Sequence, residues 1–175
     1  MAAINVALHL FRTNDHILCT HDCYGGTERI LRTYTELYGL EVTYVDMTDL
    51  NAVKKVLRPN TKALWIETPS NPLLNIVDIK ALSEIAHTQH ALAIVDNTFL
   101  SPYYQRTFEL GADIVVHSTT KYLNGHSDVV GAAIVVRHPD HVDRLHQLVN
   151  ALGQGASPFD CWLVLRGIKT LVPRM

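Results

Sequence analysis

Lys121 lies in His117-Ser118-Thr119-Thr120-Lys121-Tyr122, directly after the apolar run Ile114 to Val116, with hydroxyls before it and the turn Asn124-Gly125 after it. An amine partly buried in that setting has its charged form disfavoured and becomes a nucleophile toward a carbonyl carbon. The other lysines, Lys54, Lys55, Lys62, Lys80 and Lys169, fall on helices or at strand starts, where solvation accounts for them. Solvation is also the plain alternative for Lys121. Asp96 ends the apolar run Ala91 to Val95, which sets a carboxylate at the mouth of a buried strand; the ordinary role of such an acid is a helix cap. Ser118 and Thr120 alternate ahead of Lys121, a pattern that suits an anion or a simple Ser/Thr turn. Tyr24 precedes Gly25-Gly26, whose missing side chains let a flat ligand approach the backbone; read alone it is a turn aromatic.

The combination is more specific than its members. A carboxylate beneath a pyridine ring keeps the ring nitrogen protonated, and the protonated ring draws electrons from an adjacent carbanion. An amine for an aldehyde carbon, hydroxyls for a phosphate and an aromatic face for the ring complete a set suited to pyridoxal 5′-phosphate (PLP).

Other chemistries have less support. The chain has 10 histidines, and His138, His141 and His146 have near-helical spacing. His138 precedes a proline at a helix start, however, and no carboxylate pattern supports a metal, so none is expected. His126, in Asn124-Gly125-His126-Ser127-Asp128, reads as a residue that shapes the loop after Lys121. The glycines match neither G-x-G-x-x-G nor G-x-x-x-x-G-K-[ST]. A net charge of -2 without a block of like charges gives a nucleic acid little to bind. Cys19, Cys23 and Cys161 form no C-x-x-C pair, which fits a reducing cytoplasm. The apolar N-terminal stretch lacks a basic leader and is interrupted by Asn5 and His9; it reads as a buried helix rather than a signal peptide. No run reaches the roughly 18 to 20 apolar residues that span a bilayer. The expected partner is a small molecule.

These residues need a scaffold, and short apolar runs alternating with longer periodic segments point to a mostly parallel α/β sheet. Strands are expected at Ile17 to Cys19, Val42 to Val45, Ala63 to Ile66, Leu92 to Val95, Ile114 to Val116 and Ala132 to Val136. Helices are expected from Thr27 to Tyr38 with Gly39 as the stop, from a Thr48 cap to about Leu57, and from an Asp78 cap to about His87. A further helix is expected from Pro139 to about Leu152, and a last one from the Ser157-Pro158 start onward without a closing signal. Ligands in open α/β sheets bind beyond the carboxyl ends of strands. Four polar segments follow such ends: Thr20 to Thr27, Glu67 to Pro72, Asp96 to Thr98 and His117 to Lys121. Charged residues are 18% of the chain and apolar ones 47%, more apolar than a typical domain with about 25% charged residues, which suggests contacts with further subunits or domains.

Asp22-Cys23-Tyr24-Gly25-Gly26-Thr27, Glu67-Thr68-Pro69-Ser70-Asn71-Pro72, Val95-Asp96-Asn97-Thr98-Phe99, Ser118 to Asp128 and Arg166 to Leu171 together resemble the Cys/Met-metabolism, or transsulfuration, family of PLP enzymes. The likeness runs in order along essentially the whole chain and is greatest toward its γ-synthase and γ-lyase members. It implies the aspartate-aminotransferase-like large domain, a mostly parallel sheet flanked by helices. Lys121 would be the Schiff-base lysine, Asp96 the partner of the pyridine nitrogen and Tyr24 the residue stacked on the ring. Ser118 and Thr120 would hold the phosphate, and Asn71 would lie near the 3-hydroxyl. Met1 matches the methionine that follows the family's phosphate-binding Ser-Gly pair, which is absent here.

The resemblance further implies γ-replacement on a homoserine-derived amino acid, with γ-elimination from cystathionine as the alternative and a non-catalytic fragment as another. Leu171 to Met175 look slightly more like the synthase branch. The methionine γ-lyase branch carries cysteine where Gly26 stands. The expected organisation is a PLP-binding domain over residues 1–156, truncated at both ends, and a helix over 157–175 leading toward an absent domain that would carry the arginine for the substrate carboxylate. Complete members would be homotetramers.

Overall fold

The computed structural model describes residues 1–175. Six strands form one sheet in the order β2-β1-β3-β4-β5-β6, with β1 at His16–Thr20, β2 at Glu41–Val45, β3 at Thr61–Glu67, β4 at Leu92–Asp96, β5 at Ile114–Ser118 and β6 at Ala132–Val136. β1 to β5 pair in parallel, and β6 returns antiparallel to β5. Each expected strand is present. The helices are α1 (Ala2–Leu8), α2 (Gly25–Tyr38), α3 (Leu50–Lys55), α4 (Ile79–Thr88), α5 (Ser101–Tyr104), α6 (Pro139–Ala151), α7 (Pro158–Ile168) and α8 (Leu171–Arg174).

Strand residues alternate between two cores, as a sheet buried on both faces requires. Leu18, Leu64, Ile66, Ala93, Val95 and Val115 pack with α3 and α4 through Val53, Leu82 and Ala86. Their neighbours Ile17, Cys19, Ala63, Trp65, Ile94, Ile114 and Val116 meet α1 and α2 through Ile4, Leu8 and Leu31. The apolar N-terminal stretch is therefore the buried helix expected, with Val6 also meeting Leu145 and Leu148 of α6. His16, fully buried in β1, bonds Thr61 Oγ1 and Thr43 Oγ1 at 2.9 Å on either side. Burial pushes it down to about 4, so it is a neutral cross-strand tie.

Helix ends follow local chemistry. Gly39 stops α2 at φ 67°, a left-handed conformation that glycine adopts without steric cost. Asp78 caps α4 by accepting from the Ala81 amide. The cap of α3 is Asp49 rather than Thr48, because Thr48 gives both its N–H and its hydroxyl to Asp46 Oδ1 at 2.9 and 2.7 Å, while Asp49 accepts from Asn51 and Ala52.

The final helix is not continuous. The Thr170 N–H and hydroxyl both fold back to Gly167 O at 3.0 and 3.1 Å. Pro173, which lacks an amide hydrogen and cannot sit in a helix interior, then falls in the separate α8. Phe159, Trp162 and Leu165 of α7 remain exposed. No helix is long and apolar enough to cross a membrane.

Candidate active site

The carboxyl ends of β3, β4 and β5 open into a cavity of about 440 Å³ whose wall includes Met1, Tyr24, Asn71, Asp96, Ser118, Thr120 and Lys121. Every candidate named from the sequence thus lines one concavity. In register, Glu67 of β3 stands beside Asp96 of β4, and the turn that follows β5 brings Lys121 to the same rim.

Asp96 is held asymmetrically. Its Oδ1 accepts both the Thr98 amide at 3.0 Å and the Thr98 hydroxyl at 2.5 Å, which leaves Oδ2 for a ligand. Burial raises the Asp96 pKa, and the two Thr98 bonds oppose that rise. Thr98 Oγ1 also accepts the Ser118 amide at 2.9 Å, so one hydroxyl ties the end of β4 to the end of β5. Thr98 had no assigned role in the sequence reading, since its part depends on two strands meeting.

Lys121 is exposed rather than partly buried as expected from its setting, because its turn carries it past the sheet edge to the cavity rim. The chain is irregular there, with φ -93° and ψ -123° at Lys121 itself. Ser118 Oγ lines the cavity next to it. The Thr120 hydroxyl is already engaged: it donates to Gly131 O at 3.2 Å and accepts the Gly131 amide at 2.9 Å. To hold an anion, it must turn its hydrogen away from Gly131. His117, 5% exposed and with Nδ1 unpartnered, closes part of the wall. Burial lowers its pKa and favours the neutral ring.

Tyr24 precedes α2, with its side chain 42% exposed at the cavity. Gly26 keeps that ring in place: a Cβ there would overlap the Tyr24 ring and come within 2.8 Å of Met1 Sδ. A cysteine side chain at this position would force the ring to move. Asn71 lies between two cis peptide bonds, Thr68–Pro69 before it and Asn71–Pro72 directly after it.

The sequence reading missed Glu67 as a functional residue. Its Oε2 accepts the Tyr24 amide and its Oε1 the Asn71 amide, each at 2.9 Å. One buried carboxylate therefore fixes the backbone of both the aromatic cover and the asparagine. Asp22 adds a second tie by accepting from Ser70 Oγ and, at 2.9 Å, from Asn75 Nδ2. The signal was available: Glu67 ends an apolar strand as Asp96 does, but its partners are main-chain amides that no side-chain pattern reveals.

Burial pushes Glu67 up to about 7, with Asp96 and Asp22 adding to the rise and the two amides resisting it. Between its unfolded value of 4.5 and about 7, the folded chain binds more protons than the unfolded chain, so stability falls as pH rises. The full loss is about 3 kcal/mol above that range. Urea unfolding at about pH 5 and about pH 8 is expected to show this decline in the parent and a flatter profile in Glu67→Gln. Equal slopes in the two proteins would exclude Glu67 as its source.

The cavity suits PLP. Its volume accommodates a small ring and a phosphate, and its walls offer an amine, a free carboxylate oxygen, a hydroxyl and an aromatic face. The family of Cys/Met metabolism PLP-dependent enzymes matches residues 1–175. The chain belongs to that family. It is 47% identical over its whole length to a probable cystathionine gamma-synthase of Herpetosiphon aurantiacus, covering 55% of that protein. It is 48% identical to cystathionine beta-lyase MetC of Bacillus subtilis, covering all of this chain and 45% of that one. The crystal structure of cystathionine gamma-lyase from Lactobacillus plantarum complexed with L-serine superposes with a TM-score of 0.97 at 46% identity, over 99% of this chain and 46% of that one. The chain thus spans about half the length of the relatives it matches. The family's cofactor is PLP, and the fold is the α/β arrangement of these enzymes.

Proposed function

We propose that this protein catalyses replacement at the γ-carbon of an activated homoserine by the sulfur of cysteine, giving cystathionine. The observation that carries the reading is the convergence of Lys121, Asp96, Tyr24, Ser118, Thr120 and Asn71 on one cavity at the carboxyl ends of three adjacent parallel strands. When bound there, PLP supplies an electron sink beside the substrate Cα.

The chain's own groups do the rest. Lys121 Nζ would hold the cofactor's aldehyde carbon until the substrate amine displaced it, and the freed amine on the rim would then move the proton from Cα to a neighbouring carbon. Asp96 Oδ2 would keep a proton on the pyridine nitrogen, while Thr98 fixes the orientation of the carboxylate. The Tyr24 ring would cover the cofactor face, Ser118 and, once its hydrogen turned from Gly131, Thr120 would donate to the phosphate, and Asn71 would lie toward the 3-hydroxyl. Met1 closes the wall on the α1 side.

γ-Elimination is the second reading, favoured by the close superposition on the Lactobacillus plantarum γ-lyase. Two assays of the full protein separate the three activities. Activated homoserine plus cysteine yields cystathionine and the released acid in a synthase. Cystathionine plus water yields cysteine, 2-oxobutanoate and ammonia in a γ-lyase, but homocysteine, pyruvate and ammonia in a β-lyase. Formation of cystathionine as the fastest reaction is expected; pyruvate as the main product would overturn γ-carbon chemistry. Turnover in none of the assays would leave a non-catalytic member of the family.

A homo-oligomer is the proposed working form, supported by the exposed apolar side chains Phe159, Trp162, Leu165 and Val130. Residues 1–156 serve as the cofactor domain, and 157–175 as a helical segment that packs back against its Lys121 turn. Cys19, Cys23 and Cys161 are free thiols, in keeping with a reducing compartment.

A further inference from the structure

Lys121 stands on a turn that no regular ladder holds. Inside the turn the Asn124 amide donates to Thr119 O at 3.0 Å, and the Gly125 amide to Lys121 O at 2.7 Å. Nearby, Thr120 Oγ1 is tied to Gly131, and further support comes from the distant C-terminal helices. Arg174 Nη1 donates to Tyr122 O at 2.7 Å, its Nη2 to Gly167 O at 2.7 Å and its Nε to Thr170 Oγ1 at 3.1 Å. A single planar guanidinium therefore joins the end of α7, the start of α8 and the carbonyl next to the lysine. A lysine ammonium is a point charge and lacks the fork that spans these three acceptors.

Two further contacts act on the same turn. Arg166 Nη2 bonds Asp128 Oδ2 at 2.6 Å, and Asp128 Oδ1 accepts Asn124 Nδ2 at 2.8 Å. Gly167 lies directly against fully buried Asn124: a Cβ on Gly167 would overlap the Asn124 carbonyl oxygen and stand 2.6 Å from its carbon. Only glycine lets α7 close on the turn.

We propose that Arg174 is a positioning residue that clamps the Lys121 turn to α7 and α8, with Gly167 permitting the contact. The proposal rests on the reading of Lys121 as the cofactor's anchor. Its physical basis is that a reacting amine displaced by about 1 Å loses on the order of a hundredfold in rate, and Arg174 fixes the backbone one residue from that amine.

The test is site-resolved amide exchange of the PLP-loaded protein, paired with borohydride trapping of PLP on Lys121. Arg174→Ala is expected to speed exchange at Asn124 and Gly125 by about tenfold or more, the scale of a lost charge-assisted bond, and to slow trapping by about tenfold. Arg174→Lys is expected to restore little of either. Gly167→Ala is expected to give the same local exchange without removing any donor. Unchanged exchange at Asn124 and Gly125 would overturn the clamp, as would acceleration spread equally through β1 and β3, which marks general destabilisation. If the parent protein yields no adduct on Lys121, the anchor reading fails instead, and exchange in the unloaded proteins decides the clamp by the same two outcomes.

Discussion

Lys121→Ala is expected to abolish the borohydride-trapped PLP adduct and to lower turnover by about 10³-fold or more. The residue is asked to do two things that no neighbour replaces. It supplies the only lysine amine on the cavity wall, and in the proposed function it moves the substrate proton, a role worth about 10² to 10⁴ in rate by itself. Because Lys121 is exposed and makes no ion pair within the chain, its loss leaves no buried charge or broken bond behind, and stability should change little. Peptide mapping of the reduced protein, with melting curves of parent and variant, checks the expectation. An adduct of undiminished yield on another lysine would remove Lys121 from its assigned place.

Asp96→Asn is expected to separate binding from turnover. The amide oxygen of asparagine can keep both Thr98 bonds now made by Oδ1, so the fold and the adduct on Lys121 should survive. What disappears is the negative charge on the side facing the ligand. Without it the pyridine nitrogen loses its proton and the ring withdraws fewer electrons, and a fall of about 10² to 10³ in kcat is the scale of removing one such electrostatic contact. A KM change without a kcat change would show that Asp96 only helps bind. Turnover within a few fold of the parent would remove it from the chemistry.

The legibility of the fold follows from how the strands are buried. β1, β3, β4 and β5 are covered on both faces, so they read as short apolar runs, and the polar residues after them stand at one edge whatever the details of packing. That is why Asp96, Ser118, Lys121 and Tyr24 were visible as candidates before any contact was known. The failures share a different cause. Local cap preference points to Thr48, but Asp46 takes its hydroxyl. Glu67 and Thr98 were passed over because each acts on main-chain amides supplied by another segment: Tyr24 and Asn71 for one, Ser118 for the other.

Thr120 shows the same limit from the opposite side. Its spacing from Lys121 suits an anion or a simple Ser/Thr turn, and the fold gives its hydroxyl a partner in Gly131, which directly precedes the antiparallel strand β6. The hydroxyl is present where the spacing placed it, but its hydrogen must change direction before it serves a phosphate.

The sequence by itself determined the parallel α/β architecture, the edge at which ligands gather and the identity of an amine, a carboxylate and an aromatic suited to PLP, because each depends on periodicity and side-chain type. Tertiary structure alone decided how those groups are oriented. Asp96 Oδ2 is left open because Thr98 occupies the other oxygen, Tyr24 and Asn71 are joined by Glu67, and the carbonyl next to Lys121 is bonded by Arg174 of α8. Such bonds link residues far apart in the chain to backbone groups that every residue shares, and so leave little trace in the order of side chains.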